Sequence, residues 1–341
     1  MKTTILNLHG SSYDNGYKSG QFFKNNTEIN LETVKNIIEH DDTKRKMIED
    51  NWQKLEKEYI SFYQETIGKA DGLGIDRFVY FASLCPEILN YKNDSCSTIV
   101  CKNANGKYIL SHNEDDIYIT GNFCLSKVWD GNRQWFVTND MFNMPFGNGI
   151  SWNNYGIVKT INYCHEENIN TQYLPRYFSQ RLISSANSIE DMISRCKSMK
   201  IASGYHVNVI DTNKNVAASI EVHNDNVDVE FIKDEYVHTN HYIHGKYSEH
   251  QVADNKSNSI FRLNEAKRQL KDLKNRDLFG IRKILSYRSK EDEFSNSILQ
   301  LRKDPNETLF NFSYDCSDAD NIYLNVYVNG EELSLKYDQD L

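Results

Sequence analysis

The stretch from Lys92 to Asp116 constrains the fold of this chain most, because it has the pattern of a β-hairpin with a cysteine near its start. Alternating residues begin at Cys96, and Asn105-Gly106 supplies a turn in which both residues tolerate a positive φ. Period-two alternation puts Asn113 and Asp115 on one face of the returning strand. Antiparallel pairing should then bring Cys96 close to this amide and carboxylate. The thiol is a candidate nucleophile, although a buried structural cysteine in a surface hairpin would show the same pattern.

Composition limits the classes of protein to which the chain can belong. It has 341 residues, of which 39% are hydrophobic, enough for a sizeable core. A formal net charge of -9 disfavours partners such as nucleic acid and anionic membranes, because both are bound by clustered Lys and Arg. The sequence contains no signal peptide and no apolar run of about 18 residues that would span a membrane. Seven cysteines without framework spacing favour a reducing compartment, so we expect a soluble cytoplasmic protein.

Hydrophobic periodicity divides the chain into alternating blocks of helix and strand. The chain is expected to be mainly helical up to Ser95 and mainly β from Cys96 to Asn162, where Trp129 to Asn139 should form one strand. A second helical block, three strands, two helices and a closing hairpin follow. Such blocks indicate an α+β fold in layers rather than a parallel doubly wound sheet. Because no internal repeat or linker is evident, residues 1–341 are expected to form a single domain.

The histidines suggest two other kinds of chemistry. His238, His241 and His244 recur at a spacing of three, as metal ligands can. Zinc sites, however, usually combine histidine with cysteine or carboxylate ligands in recognisable spacings, and the sequence has no HExxH or CxxC motif. We therefore expect no metal. A cysteine protease that pairs Cys96 with one of the ten histidines is a further alternative, but no local protease signature surrounds this cysteine.

Six motifs, in the same order along the chain, resemble those of a known family. They are Gly10 with Gly16-Tyr17-Lys18-Ser19-Gly20, Ser95-Cys96-Ser97-Thr98, His112-Asn113-Glu114-Asp115, Asn153 to Asn162, Val237-His238-Thr239-Asn240-His241, and Thr308-Leu309-Phe310-Asn311. These runs are similar to those of the peptidase C45 family, the acyl-coenzyme A:6-aminopenicillanic acid acyltransferase-like N-terminal-nucleophile (Ntn) hydrolases. The family has Gly-Cys-Thr-Thr and Gln-Asn-Trp-Asp at the second and third motifs, and the fifth matches residue for residue. The resemblance extends from near the N-terminus to about Tyr314.

The resemblance implies both a fold and a maturation step. The fold would be α+β, the four-layer αββα sandwich of Ntn hydrolases. The precursor would cut itself between Ser95 and Cys96, leaving chains 1–95 and 96–341. The family has glycine before the nucleophile, so Ser95 is a departure that should slow this cleavage.

The resemblance also assigns roles to particular residues. It carries over Cys96 as the nucleophile, Asp115 as the group that orients the nucleophile and its amine, and Asn240 as a donor to the oxyanion. Asn162 is a second candidate for that donor.

Further polar residues are candidates for contacts to substrate or for a missing family residue. Asn113 lies beside the acidic end of the hairpin, and His206 ends a polar stretch that fits either a ligand-binding edge or a turn entering a strand. A family arginine upstream of the sixth motif falls at Pro305 in this chain. Arg302 or Lys303 would have to take its place.

The physical chemistry of an N-terminal cysteine agrees with these roles. After cleavage, Cys96 would carry a thiol with a pKa near ~8.5 and an α-amine that titrates at about 7.7–8.0, so the amine can take the thiol proton without a histidine. We therefore expect a cysteine amidohydrolase or acyltransferase that acts on the linear amide bond of an N-acylated small molecule through a Cys96 thioester. No cofactor is expected, although acyl-CoA is a possible co-substrate. A homo-oligomer is a possible assembly. The alternatives are an acyl-CoA-dependent N-acyltransferase and a non-catalytic binding protein that keeps the fold.

Overall fold

The computed structural model describes residues 3–90, 95–116, 123–131, 133–164, 168–224, 226–245, 247, 258–301, 303–327 and 330–337. The helices in these ranges are α1 (Ser12–Asn26), α2 (Glu32–His40), α3 (Asp42–Glu58), α4 (Ile60–Leu73), α5 (Arg77–Ser83), α6 (Pro86–Leu89), α7 (Arg176–Ile183), α8 (Ile189–Ser198), α9 (Ser259–Asp272) and α10 (Leu278–Leu285). The strands are β1 (Ile5–Leu8), β2 (Ser95–Lys102), β3 (Tyr108–Asp116), β4 (Cys124–Asp130), β5 (Gln134–Asp140), β6 (Ser151–Asn153), β7 (Ile157–Tyr163), β8 (Tyr205–Asp211), β9 (Val216–His223), β10 (Asn226–Ile232), β11 (Glu235–His238), β12 (Glu307–Asp315), β13 (Asn321–Val326) and β14 (Glu331–Lys336). Across these described ranges, no helix has both the length and the apolar composition needed to cross a membrane.

The strands form two sheets. The larger has eight strands in the order β1-β4-β5-β6-β7-β8-β9-β10, and the smaller has six in the order β11-β2-β3-β12-β13-β14. Strand β1 runs parallel to β4, whereas β2 runs antiparallel to both β3 and β11. The hairpin predicted around Asn105-Gly106 is confirmed as β2 and β3, and Gly106 takes a φ of 71° in its turn. This hairpin therefore lies inside the smaller sheet, with a strand on each side.

Three groups of buried side chains define four layers. One group lies between the larger sheet and helices α1 to α8. A second lies between the two sheets and includes Val100 and Trp152, and a third joins the smaller sheet to α9 and α10 through residues such as Ile99 and Leu263. The order of helix, sheet, sheet and helix confirms the α+β fold and its αββα arrangement.

Helices α1 and α4 pack with their backbones in direct contact. Gly16 and Gly20 on α1 face Gly68 and Gly72 on α4. A Cβ atom added at Gly16 would lie 2.1 Å from the carbonyl oxygen of Glu65, closer than real side chains approach. The Gly-x-x-x-Gly spacing in both helices is therefore required by this packing, which gives a physical reason for the glycines of the first motif.

The single strand expected from Trp129 to Asn139 is wrong. Strand β4 ends at Asp130 and β5 begins at Gln134, and the two pair in antiparallel register. Between them Gly131 takes a φ of 77°, which a residue without a Cβ adopts at little cost. Asp-Gly is itself a strong hairpin signal, so the reversal is readable from this dipeptide.

Replacing Gly16 by alanine should destabilise the protein. In an open helix position the change would stabilise by about 0.5–1 kcal/mol. Here the methyl group would force α1 and α4 apart, and overpacking of this kind costs about 1–3 kcal/mol or more. Urea denaturation should therefore give a lower free energy of unfolding for Gly16→Ala. Lys18→Ala, at an exposed position of α1, is the control and should change it by less than about 0.5 kcal/mol. An unchanged value for Gly16→Ala would contradict the close packing.

Candidate active site

The register of β2 against β3 divides the hairpin residues between two faces of the smaller sheet. Cys96 lies opposite Glu114, and Thr98 lies opposite His112. Val100, further along the same face of β2, is buried between the two sheets. Because residues two apart in a strand point the same way, the side chain of Cys96 also points to the side of the larger sheet.

Asn113 and Asp115 share a face with each other, as predicted, but it is the other face of the sheet. They lie opposite Ser97 and Ser95. This face packs against the α9 and α10 layer, where Asn113 Nδ2 donates a hydrogen bond to the carbonyl oxygen of Leu285 at 2.9 Å. The hairpin therefore brings Asp115 near the backbone of the nucleophile candidate and not to the side of its thiol.

The face of the thiol carries two residues that were not among the predicted site residues. The sulfur of Cys96, a ring nitrogen of His112 and a carboxylate oxygen of Glu114 lie within 4.8 Å of one another. His112 Nε2 is 3.0 Å from Glu114 Oε2, and His112 Nδ1 is 2.7 Å from Thr98 Oγ1. We call Cys96, His112 and Glu114 the thiol cluster. Because side chains alternate along β3, His112 and Glu114 must lie on the face opposite Asn113, which is the face of the thiol. The sequence alternation could therefore have identified both residues.

The regularly spaced histidines do not converge on one point. His238 Nε2 lies 3.1 Å from Glu221 Oε1, whereas His241 Nδ1 lies 2.7 Å from Ser259 Oγ. Among the described residues, the thiol cluster is compact enough to hold a metal ion, and thiol, imidazole and carboxylate are all zinc ligands. Both ring nitrogens of its histidine already have hydrogen-bond partners, which suits proton transfer better than metal binding.

Asn240 and Arg262 hold the main chain of Cys96. The Cys96 N–H donates to Asn240 Oδ1 at 2.9 Å, and Arg262 Nη2 donates to the same atom at 2.6 Å. Because two donors converge on this atom, it must be the carboxamide oxygen. Asn240 Nδ2 donates instead to the carbonyl oxygen of Tyr163 at 3.0 Å. Asn240 therefore lies at the nucleophile candidate, with an acceptor rather than a donor directed at it.

Arg262 is a site residue that the sequence reasoning missed. It is fully buried on α9, and its Nη1 donates to the carbonyl oxygen of Cys96 at 2.5 Å. Burial lowers the pKa of its guanidinium, while negative charge on Asp115 and Cys96 opposes that change. A signal was available, because Arg262 falls on the same helical stripe as the buried Ala266 and Leu270. A charged residue on an apolar stripe indicates a buried partner.

The two basic residues considered in place of the family arginine have different outcomes. Arg302 lies outside the described residues. Lys303 forms an ion pair with Asp292 at an exposed position. The guanidinium beside Cys96 comes from Arg262 on α9 instead.

Asp115 is buried on the helix-facing side of the hairpin. Its Oδ1 accepts a hydrogen bond from Thr308 Oγ1 at 2.6 Å. Burial raises the pKa of this carboxyl to about 7, although the charge of Arg262 and the Thr308 hydrogen bond oppose the rise. Opposite it, Ser95 lies in regular strand structure and accepts from Gln300 Nε2 at 2.9 Å. Ser95 has no positive φ, so its backbone does not require glycine.

Asn162 and His206 lie opposite each other on β7 and β8. Asn162 Oδ1 accepts from Thr98 Oγ1 at 2.9 Å, which links it to the thiol cluster. Within the described part of the chain, its buried Nδ2 has no hydrogen-bond partner. His206 Nε2 lies 2.7 Å from Ser219 Oγ, its ring stacks on His238, and burial lowers its pKa well below the ordinary value. Asn162 thus has an unused donor, whereas His206 is enclosed by protein.

A cleft open to solvent reaches the thiol cluster. Its cavity volume is about 20 Å³, and its lining mixes charged, amide and apolar side chains. The lining residues are Cys96, Glu114, Asp115, Asp116, Met144, Asn148, Gly149, Ile161, Tyr163, Arg176 and Gln180.

Comparison with known proteins supports a specific family. A family model described as acyl-coenzyme A:6-aminopenicillanic acid acyl-transferase matches residues 101–324, about two thirds of the chain. The matched part contains Asp115, Asn240 and Arg262, and it begins just after Cys96. No curated protein sequence matches the chain.

Asp115→Asn should remove a pH-dependent loss of stability. An unfolded aspartate titrates near ~3.9, whereas burial raises the folded pKa to about 7, so the folded protein binds more protons between these values. Stability of the parent chain should therefore fall as pH rises from about 4 to about 7. The asparagine variant should lack this loss and become relatively more stable over that range.

Urea denaturation across this pH range tests the expectation, with Cys96→Ala as the parent chain so that the predicted self-cleavage cannot intervene. Asp272→Asn, an exposed carboxylate on α9, is the matched control and should keep the pH dependence of the parent. Parallel curves for Asp115→Asn and the parent would contradict the raised pKa.

Proposed function

Because this chain belongs to the acyl-coenzyme A:6-aminopenicillanic acid acyl-transferase family, we propose that it is an N-terminal cysteine hydrolase or acyltransferase that acts on the linear amide bond of an N-acylated small molecule. The observation that carries this proposal is the set of contacts made by Cys96. Its nitrogen is held by Asn240, its carbonyl by Arg262, and its thiol cluster borders an open cleft. Such a residue is prepared for chemistry at both its sulfur and its nitrogen.

Maturation would proceed by an acyl shift from nitrogen to sulfur. The sulfur of Cys96 attacks the carbonyl carbon of Ser95, the C–N bond breaks as the C–S bond forms, and a proton passes to the departing nitrogen. Water then hydrolyses the thioester and leaves a carboxylate on Ser95 and a free α-amine on Cys96. Ser95 is buried and held in strand structure, so the bond to be cut is fixed relative to the thiol.

In the cut enzyme, the α-amine would act as the base. It would replace the N–H that now donates to Asn240 Oδ1, so this oxygen would keep the amine oriented. This assignment changes the predicted role of Asn240 from oxyanion donor to amine acceptor. The unused Nδ2 of Asn162 is then the better candidate for the oxyanion donor. A buried donor without a partner lowers stability, so its presence indicates a function.

The acyl acceptor separates the two forms of the reaction. Hydrolysis and transfer share the Cys96 thioester and differ only in whether water or an amine resolves it. The printed family description concerns transfer from an acyl-coenzyme A, so acyl-CoA is the donor to test beside N-acyl amides. Product analysis with water alone and with an added amine distinguishes hydrolysis from transfer.

Cys96→Ala should abolish chain cleavage and turnover together, because one sulfur serves both steps. Intact-mass measurement should show the parent protein as two fragments, the larger beginning at Cys96, and the variant as one chain. Cys101→Ala is the matched control. Cys101 lies on the same strand but on the other face, and burial raises the pKa of its thiol to about 12, so both activities should remain.

An intact wild-type chain whose Cys96 resists alkylation would instead favour a non-catalytic binding protein. Full activity of Cys96→Ala would remove the nucleophile assignment.

Asn162→Ala and Asn240→Ala should affect turnover in different ways. Loss of an oxyanion donor usually lowers kcat by about 10²–10³, so Asn162→Ala should do so without shifting the pH profile. Asn240→Ala should move the pH at which kcat/KM rises, because the α-amine loses its acceptor. Both variants are measured after cleavage is complete. A loss of less than about threefold for Asn162→Ala would assign the oxyanion to other donors.

A further inference from the structure

The uncut chain needs a proton acceptor that the α-amine cannot provide. Before cleavage, the nitrogen of Cys96 is a peptide nitrogen, and its N–H donates to Asn240 Oδ1. The lone pair of a peptide nitrogen is delocalised into the carbonyl group, so this nitrogen cannot accept the thiol proton. Self-cleavage nevertheless requires the thiolate, because the thiolate is the nucleophile. Another group near the sulfur must therefore take the proton.

We propose that His112 and Glu114 together accept the thiol proton of Cys96 in the uncut chain and so start its self-cleavage. This inference rests on the proposed function and deepens it, because it concerns the step that precedes the first turnover.

The geometry of the thiol cluster carries the inference. His112, Glu114 and Cys96 share one face of the hairpin, and their functional atoms lie within 4.8 Å of one another. The imidazole and the carboxylate are 3.0 Å apart at Nε2 and Oε2, and Thr98 fixes the other side of the ring at 2.7 Å.

Other described groups around Cys96 fit this role less well. The side chain of Asp115 lies on the opposite face of the hairpin from that of Cys96, although both residues line the cleft, and its Oδ1 accepts a hydrogen bond from Thr308 Oγ1 at 2.6 Å. Arg262 has only donors, and it already uses them on the main chain of Cys96 and on Asn240. Lys159 directs its Nζ to the carbonyl oxygen of Gly147 at 2.8 Å.

Several titratable and charged groups surround the His112–Glu114 pair. The groups that face the pair are Cys96 from β2, Lys159 from β7 and His206 from β8, and Asp116 and Arg176 line the same cleft. Burial lowers the pKa of Lys159 to about 7, and the carboxylate of the pair opposes that change.

The step balances without a further reactant. The S–H bond of Cys96 breaks, and its proton is taken up between His112 Nε2 and Glu114 Oε2. His112 Nδ1 is not the acceptor, because it donates to Thr98 Oγ1, whose own hydrogen goes to Asn162 Oδ1. The thiolate attacks the carbonyl carbon of Ser95, the C–N bond breaks, and the pair returns the proton to the nitrogen of Cys96. The pair is then in its starting state, and the new α-amine can serve as the base for turnover.

Cleavage kinetics of freshly made full-length chain test the proposal. The chain is produced by cell-free synthesis, EDTA is added once synthesis is complete, and cutting is followed by denaturing electrophoresis from about pH 5.5 to about pH 9. His112→Gln and Glu114→Gln should each slow cleavage at pH 7 by about 10²-fold. Each should also raise, by about one unit, the pH at which cleavage reaches half its maximal rate. Ser111→Ala, on the same strand but on the other face, is the matched control and should cut at the wild-type rate.

The outcomes separate failure of this inference from failure of the proposed function. Wild-type rates and pH profiles in both glutamine variants would overturn the inference alone. A wild-type chain that stays whole, with Cys96 unreactive, would overturn both. Circular dichroism checks the fold of each variant. If neither variant folds, the pH dependence of Cys96 alkylation in uncut wild-type chain decides, because it gives the pKa of the thiol. A thiol pKa below the free value of ~8.5 supports the inference, and a pKa at or above that value overturns it.

Discussion

The antiparallel register between β2 and β3 is the constraint from which the rest of the site follows. A slip of one residue would move every side chain of the hairpin to the opposite face. The observed register puts Cys96 with Glu114 on the side of the larger sheet and Ser95 with Asp115 on the side of the helices. The thiol and the main chain of Cys96 are therefore contacted by different sets of residues, one on each side of the same sheet.

The helix-facing set has to stabilise a buried positive charge. Arg262 is fully buried, and a guanidinium without partners would cost several kcal/mol in such a place. Its hydrogen bonds go to the carbonyl oxygen of Cys96 and to Asn240, and the carboxyl of Asp115 lies near enough to affect its pKa. The polar residues around Cys96 thus support one another, and side chains from two distant segments hold its backbone at the start of β2.

Much of the fold could be predicted because its signals are local. The Asn105-Gly106 turn and the layered α+β architecture are confirmed, and the Asp130-Gly131 reversal was missed although its signal is equally local. The site was predictable only in part. Asn240 does reach Cys96, but its oxygen faces the N–H of Cys96, and that orientation depends on Arg262 from a distant helix.

The amino-acid sequence alone determined the hairpin, the position of Cys96 at its start and the motifs that resemble the family, because turn propensity and alternation act over a few residues. The tertiary structure decided which groups face the sulfur. Pairing of the strands selected His112 and Glu114 for the thiol side, and packing of α9 on the smaller sheet brought Arg262 to the backbone of Cys96. These contacts join residues far apart in the chain, and the burial that makes them strong exists only once the layers have assembled.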